Sequence, residues 1–599
     1  MKRFFLYILF FVSIVSTAQI TDTLPPVNIF VNHQQKPPFI ILSDTLPGSE
    51  RNLGEFLFYQ SPLQLRTYGK GMVSGVSMRG CSPSQILVLW NGIPINSPLN
   101  GQTDVNTLPA IGHEKIEIFT GGNSVSFGSG AMGGAVVLNA VPHFQQHPKI
   151  KAGLYYGSYG SKIFSGKAGI SKNNWNLKTA VRIQSDKNNF SWPEFFYTNH
   201  NAQIERKDFS SDLFYKIHKS VFSFHILHSN AERELPGTLY SYSESMLKNK
   251  DHKMALKWET DKTGFQAGAT AAWLWENYEY YYKKEGNISG RGEAQTFFFK
   301  TFADKKWKSF FHTKVELSQR YITGKTLNFD TKKRNITGMV LQLVFNKANI
   351  QSQAGLRYIT GNFKPNLPTY FFNFSFSKQI FSTGLSFNTH FRLPTFNDLY
   401  WNPGGNPQLK PETGEEWEFF TSFNHKHFKI KTQFFFKQTQ NLIKWIPGNN
   451  QIWHPVNIDR TKGYGVETYT QAGFHVGKIF FQPQWTFSYQ KIYNVQTGKI
   501  LIYTPFFIST LHIPVKFRNF SINYFHRYQS YAYTTPSNTS FLKGYHLHGI
   551  TLETNLKEMS AGITIDNLFN QYYELIPSRP MPGRTYTLFL KFNFKTNKS

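Results

Sequence analysis

From about residue 148 onward, apolar and polar residues alternate along short segments separated by Asn-, Gly- and Lys-rich turns. Leu177, Thr179, Val181 and Ile183 alternate with Lys178, Ala180, Arg182 and Gln184. Met254, Leu256 and Trp258 alternate with Lys253, Ala255 and Lys257. Phe428, Ile430, Thr432, Phe434 and Phe436 alternate with Lys429, Lys431, Gln433 and Lys437, and Phe435 breaks the pattern. A period of two with one apolar face predicts strands. Residues 46–142 follow another rule. Ile86–Leu89 is a continuous apolar run, as for a strand buried on both faces. Trp90-Asn91-Gly92 turns the chain, because Asn and Gly tolerate positive φ. A glycine cluster from Gly128 to Gly134 lets backbone pack where a Cβ would clash. Asn52 to Phe58 predicts a short helix with one apolar face.

The N-terminus adds an address. Met1-Lys2-Arg3 is charged, Phe4 to Val15 is apolar, and Ser16-Thr17-Ala18 fits a small-x-small cleavage site. Residues 1–18 are therefore expected to be a signal peptide. The apolar run is too short to span a bilayer. Residues 19–45 carry Pro25, Pro26, Pro37 and Pro38 with little periodicity, which predicts an extended or disordered segment.

Composition selects among all-β classes. Aromatics are 17% of the chain and charged residues also 17%, yet mean hydropathy is −0.38. A lipid face, two aromatic girdles and a wet lumen produce that combination. A helical membrane protein would show several long apolar runs, and none follows the N-terminus. At roughly 9–11 residues per strand plus similar lengths of turn, residues 148–599 make roughly 18 to 24 strands. The net charge of +29 comes from Lys and Arg spread along the strands without a basic run. It predicts lumen, loop and lipid-headgroup contacts, and no nucleic-acid partner.

The order of motifs in residues 76–140 resembles the plug domain of TonB-dependent outer-membrane receptors. Arg79-Gly80 is followed by the strand ending Asn91-Gly92-Ile93-Pro94, then Leu108-Pro109 and Glu114-Lys115-Ile116-Glu117-Ile118. Phe127-Gly128-Ser129-Gly130-Ala131-Met132-Gly133-Gly134 closes the set. Asn91 stands where the family has Asp, and Thr120-Gly121-Gly122 where it has Arg-Gly-Pro. The exchange at Thr120 is expected to loosen a polar plug-to-barrel contact. Gly405-Asn406-Pro407-Gln408-Leu409-Lys410-Pro411-Glu412 is similar to the family's mid-barrel loop. Ile565-Asp566-Asn567-Leu568-Phe569 with Tyr586 to Phe594 is similar to its closing strand. The resemblance implies a membrane all-β fold: an antiparallel transmembrane β-barrel of about 22 strands with an N-terminal α+β plug (46–142) inside the lumen. It also implies an importer in the outer membrane of a Gram-negative bacterium.

What the resemblance implies for sites follows residue by residue. Asp22, Thr23, Leu24, Val27, Ile29 and Val31 match a Ton box, the segment that pairs by strand addition with a TonB-type periplasmic coupling protein driven by its ExbB-ExbD motor. Two plug loops are expected to rise toward the ligand, with Tyr68 and Met72 in the first and Asn96, Ser97, Asn100 and Gln102 in the second. Trp401 and Asn402 belong to the barrel loop whose Tyr400-Trp401-Asn402-Pro403 run is similar to the vitamin B12 (cobalamin) receptor branch. The implied ligand is a corrinoid, with an iron chelate (ferric siderophore or haem) as the alternative. The implied assembly is a monomeric barrel among outer-membrane lipid and lipopolysaccharide. From other classes, a non-transporting adhesin or structural barrel stays open, and a hydrolase has no supporting triad.

Local chemistry adds little else. His425/His427 and His546/His548 each put two imidazoles on one strand face, without a third metal ligand in sequence. No cofactor is implied, and Cys81 has no second thiol to pair with. Trp273 and Trp275 are expected in the outer girdle, and Phe190 and Trp192 are candidates to line an extracellular vestibule.

Overall fold

A computed structural model describes residues 39–42, 50–144, 147–283, 286–363, 366–448 and 452–595. From Lys149 onward every strand pairs antiparallel with its neighbours, and the last strand, Thr585–Lys595, closes onto the first, Lys149–Gly157. Two strands are interrupted. Trp453–Ala472 continues as Phe474–Val476, and Ile479–Phe481 continues as Gln484–Asn494, so the closed sheet has 22 strands among the described residues. Closure leaves no unpaired edge for hydrocarbon to meet. Two-residue turns such as 173–174, 218–219 and 518–519 join strands at one end, and long connections such as 393–411 and 567–584 lie at the other. In outer-membrane barrels the short turns face the periplasm and the long loops face outside.

The alternation in the sequence is the wall of this barrel. Leu177, Ile183, Met254 and Leu256 are exposed on the outer face, while Lys178, Ala180, Arg182, Gln184 and Lys253 are buried within. Trp273 and Trp275 keep the outward phase of Met254 and His252, their register partners. Phe435, which broke the pattern, is a buried lumen residue whose ring lies under the Arg79 guanidinium.

Inside the barrel sits the plug. Its sheet orders β1 (Phe39–Leu42), β6 (Lys115–Thr120), β7 (Gly134–Asn139), β4 (Ile86–Trp90) and β5 (Ile93–Pro94), and a separate pair joins β2 (Gln64–Thr67) to β3 (Ser74–Ser77). The β4–β7 pair is parallel, and β4 and β7 are buried along their whole length. The turn after β4 has φ of 49° at Asn91 and 83° at Gly92, the double left-handed geometry of a tight hairpin. Helix α1 (Leu53–Gln60) begins at Asn52, whose side-chain oxygen accepts from the Glu55 N–H at 2.8 Å. Its Leu53, Phe56 and Leu57 pack with Val88, Ile116, Val136 and the wall residues Leu227 and Phe298. Each such fully buried side chain contributes about 1.5–3 kcal/mol.

Two expectations need correcting. Phe39–Leu42, expected in the extended segment ahead of the plug, pairs antiparallel with β6 and adds an edge strand to the plug sheet. Phe190 and Trp192 line no vestibule: both are buried with Tyr197, and the Trp192 ring N–H donates to the Met581 carbonyl at 2.9 Å. Their loop folds on its own aromatic core, which supplies the apolar burial an isolated loop lacks. The Ton-box residues Asp22 to Val31 lie outside the described residues.

Candidate functional site: plug seam and plug apex

The seam is built around Arg79. This residue follows β3 with φ of 46°, and Gly80 follows at 69°. A Cβ on Gly80 would lie 2.6 Å from the Ile492 side chain, so a glycine there lets the turn press against the wall. The turn places the Arg79 guanidinium, fully buried, among three wall carboxylates. Its Nε and Nη2 donate to Glu467 at 3.1 and 2.8 Å, and Nη1 donates to both Glu416 and Glu418. Burial acts to lower the Arg79 pKa, and the glutamates overcome it and hold it well above the ordinary value. Glu416 also accepts from the Gly122 N–H at 2.8 Å, and Lys437 donates to the Met132 carbonyl at 2.6 Å and to Cys81 Sγ at 2.9 Å. Thr120 joins this cluster from within the plug. Its hydroxyl accepts from Arg79 Nη2 at 3.0 Å, a neutral acceptor beside the guanidinium.

Other motif residues hold the seam elsewhere. Glu114 pairs with the wall residues Lys167 at 2.7 Å and Lys178 at 3.2 Å and accepts from the Val141 N–H. Burial acts to raise its pKa, but the two lysines outweigh it and hold the carboxyl at about 2. Glu117 accepts from the Asn139 amide at 2.8 Å and pairs with Lys115. Asn91 accepts from the Ala140 N–H at 2.9 Å, and its amide nitrogen is buried without a partner among the described residues. A Cβ on Gly133 would lie 2.6 Å from Cys81 Cβ, and one on Gly134 would lie 2.2 Å from the Phe119 carbonyl. Gly92 completes the hairpin turn.

The apex is built from the two predicted plug loops, both of which reach the long-loop end of the barrel. In the first, Tyr68 is 52% exposed and Arg579 stacks over its ring at 5.6 Å. Met72 is 1% exposed, its side chain packed into the interior. In the second, Asn96 bonds to the backbone of Ile86, Val88 and Gly101, and Ser97 donates to Glu276. Asn100 and Gln102 are exposed. Helix α2 (Phe396–Tyr400) of the long loop caps this second loop, with Phe396 N–H donating to the Pro98 carbonyl and Asn397 N–H to the Leu99 carbonyl. Trp401 packs half-buried against that cluster, and Asn402 is exposed. The structure thus joins Asn96–Gln102 with Trp401 and Asn402, and sets Tyr68 apart beside the 567–584 loop.

Glu412 ties apex to seam. It takes Arg392 in a two-pronged bond at 2.6 and 3.0 Å, accepts from plug Gln85 at 2.9 Å, and accepts from the Ile443 N–H. Sequence reasoning had singled out neither Glu416, Glu418 and Glu467 nor their role. A signal existed: Glu412, Gly414, Glu416 and Glu418 recur on the lumen phase of one strand.

Two family models match this architecture. One described as "TonB dependent receptor-like, beta-barrel" matches residues 138–568, and one described as "TonB-dependent Receptor Plug Domain" matches residues 45–135. The chain belongs to the TonB-dependent receptor family. The receptor is 24% identical over 571 residues to the vitamin B12 transporter BtuB of Photobacterium profundum, covering 91% of this chain and 90% of that one. It is 25% identical over 438 residues to the BtuB of Vibrio vulnificus, covering 69% and 68%. Among solved structures, the siderophore receptor PirA from Acinetobacter baumannii superposes with a TM-score of 0.77 at 14% identity, covering 93% and 98%. The copper transporter OprC superposes at 0.78 and 13%, covering 93% and 97%. These superpositions establish the fold. The family places the receptor in a Gram-negative outer membrane, working with TonB on a small-molecule ligand.

Proposed function

We propose that this receptor imports cobalamin or a related corrinoid and is no enzyme. The observation that carries the reading is likeness over nearly the whole chain, plug and barrel together, to vitamin B12 transporters. The geometry supports the route. The ligand lands on Tyr68, Asn100 and Gln102 at the plug apex and on Trp401 and Asn402 in the loop above. It is too large to pass the plug, which fills the lumen. Binding presents the Ton box, whose Val27, Ile29 and Val31 recur at every second position, to the TonB-type coupling protein. The ExbB-ExbD motor supplies the force, drawn from the inner-membrane proton gradient. The seam at Arg79 holds the plug until that force arrives. The N-terminal 18 residues direct export, and the barrel works as a monomer in lipid and lipopolysaccharide.

The test is equilibrium binding of cyanocobalamin to the purified, detergent-solubilised receptor, with ferric siderophores and haem as competitors. Saturable sub-micromolar binding (about −8 kcal/mol or tighter), weakened by Asn100→Ala/Gln102→Ala, is expected. Displacement by a ferric chelate with no corrinoid binding would move the assignment to iron.

A further inference from the structure

Between the plug apex and the wall lies a pocket lined by Ser84, Ser129 and Gly130 of the plug and by Thr296, Arg320 and Arg334 of the wall. Arg320 and Arg334 stand on adjacent antiparallel strands, two residues apart in register and so on the same face: Arg320 faces Ile336, and Ile322 faces Arg334. Diagonal neighbours of this kind are about 7–8 Å apart, within reach of a shared ligand. Other lumen arginines near them are compensated. Arg357 pairs with Glu316 at 2.9 Å and donates to the Val125 carbonyl, and Arg392 holds Glu412. Among the described residues, Arg320 and Arg334 have no hydrogen bond and no carboxylate within 4.0 Å; Arg334 only stacks over the Phe396 ring at 4.9 Å. Asp398, in the loop above, is already engaged by Arg392, the Thr395 N–H and the Trp445 ring N–H.

Two neighbouring guanidiniums without counter-charge repel each other, and in a half-buried wall that repulsion is poorly screened. A bound oxyanion reverses the sign of the interaction, and the planar donor forks of arginine suit its oxygens. We infer that Arg320 and Arg334 form a subsite for an oxyanion carried by the imported ligand, a phosphate-type or carboxylate group. The inference rests on the import reading above. A group seated there touches the wall, the plug at Ser84 and Gly130, and the covering residues Leu393 and Thr395 of the long loop. The subsite therefore reads ligand charge at the junction of the three parts that must respond to binding.

Inorganic pyrophosphate tests the subsite itself, by isothermal titration into the detergent-solubilised receptor and into R320Q/R334Q and R320K/R334K. Saturable binding that salt weakens, reduced about tenfold or more in R320Q/R334Q and largely kept in R320K/R334K, is expected. The lysine pair guards against a folding artefact, as does unchanged heat-modifiable migration of the barrel. Absence of pyrophosphate binding, or equal isotherms for the natural receptor and R320Q/R334Q, would overturn the inference. Cyanocobalamin and cobinamide, the corrinoid lacking the phosphate-bearing nucleotide, then test what the subsite serves. R320Q/R334Q should weaken cyanocobalamin about tenfold and cobinamide less than about twofold. Equal effects on both would contradict service to the ligand's phosphate. Failure of both corrinoids to bind the natural receptor would remove the corrinoid reading, with the pyrophosphate result still deciding the subsite.

Discussion

Two sides of the same lumen treat cations in opposite ways. Toward strands Glu412–His425 and Trp453–Ala472, the plug cation Arg79 meets three carboxylates, and every prong of its guanidinium is used. Toward the strands spanning 311–347, Arg320 and Arg334 face the plug with no carboxylate within 4.0 Å among the described residues. The first side is complete without a ligand. The second is complete only with one. A plug that must stay put at rest and still sense an arriving molecule needs both, and placing them on different strands lets capture proceed without disturbing the lock.

The comparison breaks most decisively at Arg79. Arg79→Met leaves Glu416, Glu418 and Glu467 buried, with Lys437 beside Glu416 as the one remaining ion-pair partner of the three among the described residues, which costs about 3–5 kcal/mol. Hydrogen exchange should show β4 and β7 losing protection while the barrel keeps its heat-modifiable migration. Glu114 gives a smaller effect with a pH signature. Its carboxyl is held below the unfolded value, so its stabilisation is complete above about pH 4.5 and is lost progressively as pH falls toward 2. The contribution is on the order of 3 kcal/mol. Protection at residues 139–141, relative to the intrinsic exchange rate at each pH, should fall with acid in the natural receptor and stay nearly constant over that window in Glu114→Gln. Gly134→Ala sharpens the packing side of the comparison. With φ of 149° and the Phe119 carbonyl in the way, it should cost about 1–3 kcal/mol at β7. Smallest of all, R320Q/R334Q should change exchange in the plug by less than about 0.5 kcal/mol while altering ligand affinity. That dissociation separates the capture side from the lock.

Much of this was legible in the chain. The period-two segments gave the wall because the pleat forces alternate side chains to opposite faces, and lipid and lumen demand opposite chemistries. Ile86–Trp90 and Gly134–Asn139 stood out as continuous apolar runs because a plug strand is buried on both faces. Asn91-Gly92 announced its turn through backbone sterics alone. What stayed hidden depends on pairing across long sequence distances. Arg79 meets Glu416 across 337 residues, and no local pattern says which lumen glutamate faces which plug turn. The same limit applied to Phe435, an irregularity in sequence and a ring beneath Arg79 in space. Met72 illustrates the converse: a residue of a glycine-rich loop looked available, yet the loop presses against the wall, where a Cβ on Gly71 would lie 2.3 Å from Ile204, and Met72 is buried. Arg320 and Arg334 look like any lumen cations until the nearby carboxylates are seen to be engaged elsewhere, Asp398 and Glu412 by Arg392 and Glu316 by Arg357.

The central claim is that ligand captured at the apex is carried inward by force applied at the N-terminal segment. Its most direct test compares labelled cyanocobalamin binding and uptake, side by side, in cells carrying the natural receptor and Val27→Pro. Proline removes a backbone donor from the added strand without touching the apex. The account predicts unchanged surface binding and abolished uptake. Uptake that survives Val27→Pro, or binding that disappears with it, would contradict the account.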